Sequence, residues 1–491
     1  MSTFKAFKGI ITIVFFSVLI MGCSIKEYQG GSLSDSSMFS RSTGDKTAQL
    51  MEGQKQVQLK FQSGDYEQAS NIVDSLRQND IYQRKDRVLY ALDKGTISYF
   101  RSDYQNSVRL FQDAERYIDQ LFTKDAQRGV SAFFTNDTHL AYNGEVYEGI
   151  YLNGFSSLSY LNMGEFDKAL VEARQIVQQL EQVEAKYKKL ADSYRKSARA
   201  VDRADSSEKD MPWDSGRNRI QDSPFSHYLS SVLYAKSGAE DDAQIELKNM
   251  KTAVKNQQLL SNSQISYVSA FDQVTKPKTY NTLITAFSGL APEKVEKRMH
   301  VGEINQAIGL DDSTKKLIQD AEGATFEIAV PRLKMNPSKV AKVKATAHDT
   351  LVAALPLVEE MDKVAKEIFE AKEPIIVTRA FFSEFIAFLP QTKKAQKVRE
   401  QDKEGSLDSN LREGLAKLST NMQKVSDQAD LRGWNTMPGK VYSNVVKLPA
   451  GTHTIAFEYY SADGELLHTE KKEVMIAENK KLEPVSSFYT N

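Results

Sequence analysis

Glu145 and Glu148 lie three residues apart. On a helix that spacing puts two carboxylates on one face, as paired acid–base work requires; it equally describes the first turn of an ordinary helix, a solvated or N-terminal helix face, and that reading is preferred. Glu172 calls for the same restraint. The six histidines, His139, His227, His300, His348, His453 and His468, are scattered without metal-ligand spacing. Walker-type Gly-Lys-Ser, His-Glu-x-x-His and Gly-x-Ser-x-Gly signatures are missing from the sequence. The reading is a non-enzyme with no catalytic residues, no metal and no cofactor. The 64 basic and 65 acidic residues of the 491-residue chain nearly cancel, which excludes the basic footprint of a nucleic-acid binder. In Lys186–Arg219, Tyr187, Tyr194 and Trp213 stand among basic residues, but Asp192, Asp202, Asp205, Glu208 and Asp210 neutralise them.

The sharpest chemistry is a modification. Cys23 is the single cysteine, so an internal disulfide is impossible. Lys5 and Lys8 precede a mostly apolar run from Gly9 to Ile20, the length of a signal h-region and short for a bilayer span. Leu19-Ile20-Met21-Gly22-Cys23 resembles the lipobox of bacterial lipoproteins. That resemblance implies removal of residues 1–22 and lipidation, palmitate included, of Cys23. Several acyl chains, at roughly 0.8 kcal/mol per buried methylene, would then hold the protein on a membrane. Ser24, in place of Asp, implies export to the outer membrane. The expected location is therefore the periplasmic face of the outer membrane, reached through the lipid on Cys23, with residues 23–45 as a flexible Ser/Gly-rich tether.

The elements behind the anchor read as helical hairpins. Tyr147, Ile150, Tyr151, Gly154, Leu158 and Leu161 recur at helical spacing, and so do Phe166, Ala169, Leu170, Ala173, Val177 and Leu180. Gly164 turns the chain between them, and the small Ala169 and Ala173 let the helices approach. Gly164, Phe166, Ala169 and Ala173 form the second half of a tetratricopeptide-like unit. Weaker copies are centred on Gly64, Ser102 and Gly238, at uneven spacing. The expected fold class is α+β and multidomain: a tetratricopeptide-like helical-hairpin solenoid over 46–262, then a mixed α/β region over 263–491. Within the latter, strands are expected at Tyr280–Ser288, Lys297–Val301 and Thr325–Val330. Helices are expected at Glu303–Ala321, at Leu351–Leu389 with a break at Pro374, and at Asn410–Asp427. Four more strands are expected between Tyr442 and Phe488, joining the Tyr280 and Thr325 strands in one sheet system. Asp463-Gly464 marks a hairpin.

Several stretches together resemble an uncharacterised family of Gram-negative bacterial lipoproteins: the lipobox, GEFDKALVEAR (Gly164–Arg174), GLAPEKVEKR (Gly289–Arg298) and ADLRGWNTMPGKVYSNVVKLPAGTHTI (Ala429–Ile455). The last carries an Asp-x-Arg-x-Trp-x-x-x-Pro pattern at Asp430, Arg432, Trp434 and Pro438. The expectation there is an Asp430–Arg432 ion pair beside Trp434 that orders the approach to the β region, ahead of a ligand-contacting role. The implied function is a binding or assembly scaffold that meets a protein or peptide in the cell envelope. The alternatives are a peptidoglycan or envelope-polysaccharide binder or regulator of its synthesis, and, behind both, an envelope enzyme. The sequence is silent on oligomeric state.

Overall fold

In the computed structural model, the residues described are 36–128, 140–176, 223–256, 271–310, 315, 318–319, 326–347, 350–388 and 429–490. The signal peptide with Cys23, the stretch after Lys186 and the helix expected at Asn410–Asp427 lie outside them. The protein is mixed α and β, with helices filling the N-terminal half and antiparallel-rich sheets the C-terminal half.

The helices come as pairs: α1 (Ser36–Gln62) with α2 (Tyr66–Gln78), α3 (Arg87–Phe100) with α4 (Tyr104–Arg128), α5 (Val146–Asn162) with α6 (166–176), and α7 (Pro224–Ser237) with α8 (Glu240–Asn256). All four pairs turn in the same way. Gly64, Ser102, Gly164 and Gly238 have φ of 75°, 63°, 75° and 90°. One residue later, the amides of Asp65, Asp103, Glu165 and Ala239 bond back five residues, to Lys60, Ser98, Tyr160 and Tyr234 carbonyls. That bond satisfies a carbonyl left over at the helix end, and it needs a left-handed residue just before it. Glycine takes that conformation freely; Ser102 bears the strain of a non-glycine. Five residues after each turn stand Ala69, Ser107, Ala169 and Ala243, each at most 1% exposed, where the paired helices touch. Ser157 and Ser231 repeat one contact, donating to the carbonyls of Ala169 and Ala243 at 3.0 and 2.7 Å.

α1 starts at Ser36, inside the stretch expected to be a tether. Extending a helix already anchored by buried Leu50 and Val57 costs far less than nucleating one.

The β strands are β1 (Thr282–Leu290), β2 (Glu293–His300), β3 (Glu327–Lys334), β4 (Lys342–Ala347), β5 (Thr350–Leu355), β6 (Leu357–Glu360), β7 (Pro438–Val446), β8 (Gly451–Tyr460), β9 (Leu466–Ile476) and β10 (Glu483–Tyr489). They form three sheets, not the expected single system: β10-β1-β7-β6, β5-β4-β8-β9 and the β2-β3 hairpin. Among the described residues the Thr325 strand pairs only with β2, and there each strand of that hairpin is an edge. This is where Pro331, which has no amide to donate, is tolerated inside β3.

The two four-stranded sheets pack face to face. Ile284, Ala286, Tyr442 and Val446 of the first meet Val343, Ile455, Phe457 and Tyr459 of the second. The alternate residues of the first sheet, Leu283, Phe287, Val441, Val445 and Phe488, turn the other way into the core of the helices. The order of layers is helices, sheet, sheet. β1 is buried along its whole length on both faces. Its partner β7 approaches so closely that a Cβ on Gly439 would stand 2.7 Å from the Leu290 carbonyl oxygen. Gly439→Ala is expected to destabilise the protein by about 1–3 kcal/mol, read from the urea midpoint.

Residues 350–360 are strands, where a helix over Leu351–Leu389 was expected. Leu355 precedes Pro356 and is steered to an extended backbone, and β4 and β7 supply the pairing. The helix α10 begins at Met361 and runs to Phe388 without ending at Pro374. A proline inside a helix costs about 3 kcal/mol. Burial of Val377 and Phe381 against Ile304, Phe326 and Ile328 beyond it offsets that cost. Of the helix expected at Glu303–Ala321, the first part is α9 (Val301–Ile308), stopped by Gly309 at φ 68°, and the described residues 315 and 318–319 beyond it are helical again.

Candidate functional site

Residues 429–437, leading into β7, cross the helical layer as a strap whose polar groups are received by that layer's buried carboxylates. Arg432, 2% exposed, forks onto Asp430: Nε to Oδ1 at 2.8 Å and Nη2 to Oδ2 at 2.7 Å. Its Nη1 donates to Asp86 Oδ1 at 2.8 Å and Nη2 to the Leu140 carbonyl at 3.1 Å. The guanidinium also covers the Tyr142 ring, 5.5 Å from its centre. Burial works against the charge on Asp430, but Arg432's charge and bonds hold its carboxyl below the usual range. The Asp-x-Arg spacing permits this fork because alternate residues of an extended chain share a side. Asp86 reaches it because a turn of 3-10 helix, Arg84–Asp86, presents that residue at the start of α3.

Two residues on, Trp434 is 3% exposed. Its indole N–H donates to Thr96 Oγ1 at 2.8 Å and its amide to Glu148 Oε1 at 2.8 Å, while its rings lie against Phe111 and Phe155. Thr436 donates to Asp93 Oδ1 at 3.1 Å. Tyr82 and Gln54 donate to the other oxygen of Asp93, both at 3.0 Å. Burial pushes the Asp93 carboxyl up to about 6, against the pull of these bonds.

A solvated or N-terminal helix face was expected for Glu145 and Glu148; they do stand at the N-terminus of α5, but Glu148 is buried and Glu145 partly buried. Glu148 closes a capping box at the start of α5, accepting from the Glu145 amide at 2.9 Å. The Tyr142 hydroxyl donates to it at 2.8 Å. Burial first, then the charge of Glu145, push the Glu148 carboxyl up to about 7. Glu145 goes the other way: burial opposes its charge, but Lys294 of β2 and Lys372 of α10, each at 2.7 Å, bring it down to about 2. A further bridge comes from the sheet. Glu359 of β6 accepts from Tyr151, from Ser223 Oγ at 2.7 Å and from the Phe225 amide at 2.8 Å, capping α7 from outside.

Gly164 and Phe166 stand apart from this network. They line a surface pocket of about 640 Å³ with Leu161, Lys480 and Lys481, in which the Lys481 ammonium lies 4.6 Å from the Phe166 ring centre. Ala169 and Ala173 are fully buried packing residues. Of the histidines, His227 is buried and lies 2.6 Å from Glu246. Among the described residues no three His, Cys, Asp or Glu side chains gather in a metal-binding group, and no helix is long and apolar enough to cross a membrane.

Asp86, Asp93, Glu359, Lys294 and Lys372 were not identified from sequence. Asp93 left one readable sign: it is four residues from both Leu89 and Ile97, so it sits on an apolar helical stripe, where a charge signals a buried partner. The array as a whole couples acceptors on one layer to donors on another. Searches against protein-family models, curated proteins and solved structures returned no match.

Proposed function

We propose that the protein is a lipid-anchored scaffold of the bacterial outer membrane, without catalysis, held at the periplasmic face through Cys23 and acting by binding a protein or peptide of the cell envelope. The reading treats the four helix pairs as a degenerate tetratricopeptide-like array. Their shared turn geometry supports that treatment, and arrays of this kind work through extended surfaces. The observation that carries the scaffold reading is how the buried carboxylates are used. Asp86, Asp93, Glu148 and Glu359 each accept from a different layer of the fold, so their chemistry is spent on rigidity.

The first helix of each later pair lies deep inside. Residues 224–235 of α7 are buried without a break, as are 91–99 of α3, because the sheet and the strap cover the face away from the second helices. A partner would therefore meet the outer helices or the outer sheet. Crosslinking of the lipidated protein in live cells, followed by mass spectrometry, should recover the same envelope partner repeatedly. Recovery of none removes the scaffold reading. Anchoring has its own test: Cys23→Ser is expected to abolish fatty-acid labelling and release the protein from membranes. Unchanged labelling would refute the lipid anchor.

A further inference from the structure

One end of the helical layer carries arginines without a carboxylate partner. Arg77 closes α2, Arg84 stands in the turn of 3-10 helix, and Arg87 opens α3. Two carboxylates share this stretch, and cations from elsewhere hold both: Lys46 of α1 holds Asp80 at 2.6 Å, and Arg432 of the strap holds Asp86 at 2.8 Å. Among the described residues Arg77, Arg84 and Arg87 form no ion pair. Arg77 and Arg84 are exposed and Arg87 is half-buried.

Tyrosine rings bring these side chains together. Arg77 Nη1 donates to the Tyr82 carbonyl at 2.8 Å, and its guanidinium lies over Tyr90, 5.4 Å from the ring centre. Tyr90 is one turn past Arg87 on α3, so the two arginines are neighbours. Arg87 in turn lies over Tyr117 of α4, 4.1 Å from its centre. Arg116 shares that ring but is already paired with Asp113. Arg84 comes one 3-10 turn before Arg87, on the same side. A guanidinium stacked on a ring is held in place, is weakly hydrated, and keeps a fork of N–H donors that matches phosphate. The phenol rings between the arginines have an apolar body and a polar tip, which suits the headgroup level of a membrane.

The course of the chain says what stands opposite. α1 begins at this end, since Lys46 in its first half is the residue bonded to Asp80. Residues 24–35 join α1 to Cys23, and even fully extended they span only about 45 Å. A lipid on Cys23 therefore keeps this end, and its arginines, beside the membrane. We propose that Arg77, Arg84 and Arg87 form a second membrane contact, binding the phosphates of an anionic lipid surface around the anchor. The proposal rests on the anchored reading of Cys23. The far end of the layer supplies an internal contrast. α5 also starts beside the arginines, where the Tyr142 amide donates to the Lys85 carbonyl at 2.8 Å. Its 17 residues end about 25 Å away, at the Gly164 turn. Lys481, 54% exposed, lies at that far end.

The test is co-sedimentation of the unlipidated mature chain, residues 23–491 with Cys23→Ser, with vesicles of phosphatidylglycerol and phosphatidylcholine or of phosphatidylcholine alone. The protein is expected to partition onto the anionic vesicles at low salt and to leave them at about 1 M salt, where the Debye length is about 3 Å. Each arginine should contribute about five-fold to that partition. Arg84→Glu, which breaks no bond within the fold, should therefore weaken it by about 25-fold. Arg87→Gln, with its melting temperature checked, should weaken it by about five-fold. Lys481→Glu, the same charge reversal at the far end, should change it by less than about two-fold. Equal partition onto both vesicles, an unchanged Arg84→Glu, or an equal loss in Lys481→Glu overturns the contact. Binding to a soluble polyanion such as heparin without binding to anionic vesicles assigns the arginines to another acidic partner and also overturns it. The unlipidated chain reports on the arginines alone and fatty-acid labelling of Cys23 on the anchor alone, so either can fail without the other.

Discussion

Arg432→Met should destabilise the protein by about 3–5 kcal/mol, visible as a large fall in the urea midpoint without a change in slope. Methionine fills much of the space but leaves the carboxylate of Asp86, 1% exposed, and that of Asp430 beside it, 17% exposed, without their cation. The Leu140 carbonyl loses its donor as well. The cost comes from stranding buried charge, so neutralising one carboxylate should recover part of it: Arg432→Met with Asp430→Asn is expected to be more stable than Arg432→Met alone. Lysine should not rescue, because a single ammonium cannot reproduce the fork of Nε and Nη2 on Asp430 together with the Nη1 bond to Asp86. A useful contrast is Arg116, 59% exposed in its pair with Asp113. Its loss should cost under about 1 kcal/mol. If Arg432→Lys matched the wild type, the fork would not be what holds the strap.

The same strap shows what a sequence can and cannot disclose. The Asp430–Arg432–Trp434 cluster could be read because its members are two residues apart and the bond between the first two is local. Their partners are 346, 338 and 286 residues away, at Asp86, Thr96 and Glu148, and nothing nearby in the chain encodes such a pairing. The helix turns were legible for the local reason too, since each is a bond over five residues with one left-handed position. Even Ser102, lacking the glycine, was found by the spacing of Tyr104 and Ser107 around it. The sheets were harder to read. β1 is buried on both faces, so its side chains show no alternation of apolar and polar to reveal which neighbour lies on which side. Residues 350–360 are strands because β4 and β7 pair with them; alone, their aliphatic content fits a helix equally well. Glu145 and Glu148 were recognised as a helix start and misjudged as solvated, because burial there comes from Trp434, Lys294 and Lys372, all distant in sequence.

Those buried carboxylates make stability depend on pH with a definite sign. Glu148 and Glu172 rise from 4.5 to about 7 on folding, and Asp93 and Asp362 from 3.8 to about 6. Between the unfolded and folded values the native state holds protons that the unfolded chain has released. Stability must then fall as pH rises through that window. Glu145 has the opposite sign. Its carboxyl drops from 4.5 to about 2, so its contribution is present above the unfolded value and is lost as pH falls toward 2. The two trends place maximum stability near about pH 4, with a decline toward pH 8. Glu148 is the group to test, because it is fully buried. Around it are Glu145 on its own helix, Tyr142 before it, Lys294 from β2 and the Trp434 amide from the strap. Its share of the decline is on the order of 3 kcal/mol between pH 4.5 and pH 8. Glu148→Gln keeps an oxygen for the Trp434 amide and removes the titration. Melting temperature against pH should therefore be visibly flatter in Glu148→Gln than in the wild type, with the largest gain at pH 8. Parallel curves would mean that Glu148 ionises in the folded protein as it does in water, and that the strap is docked on a charged carboxylate.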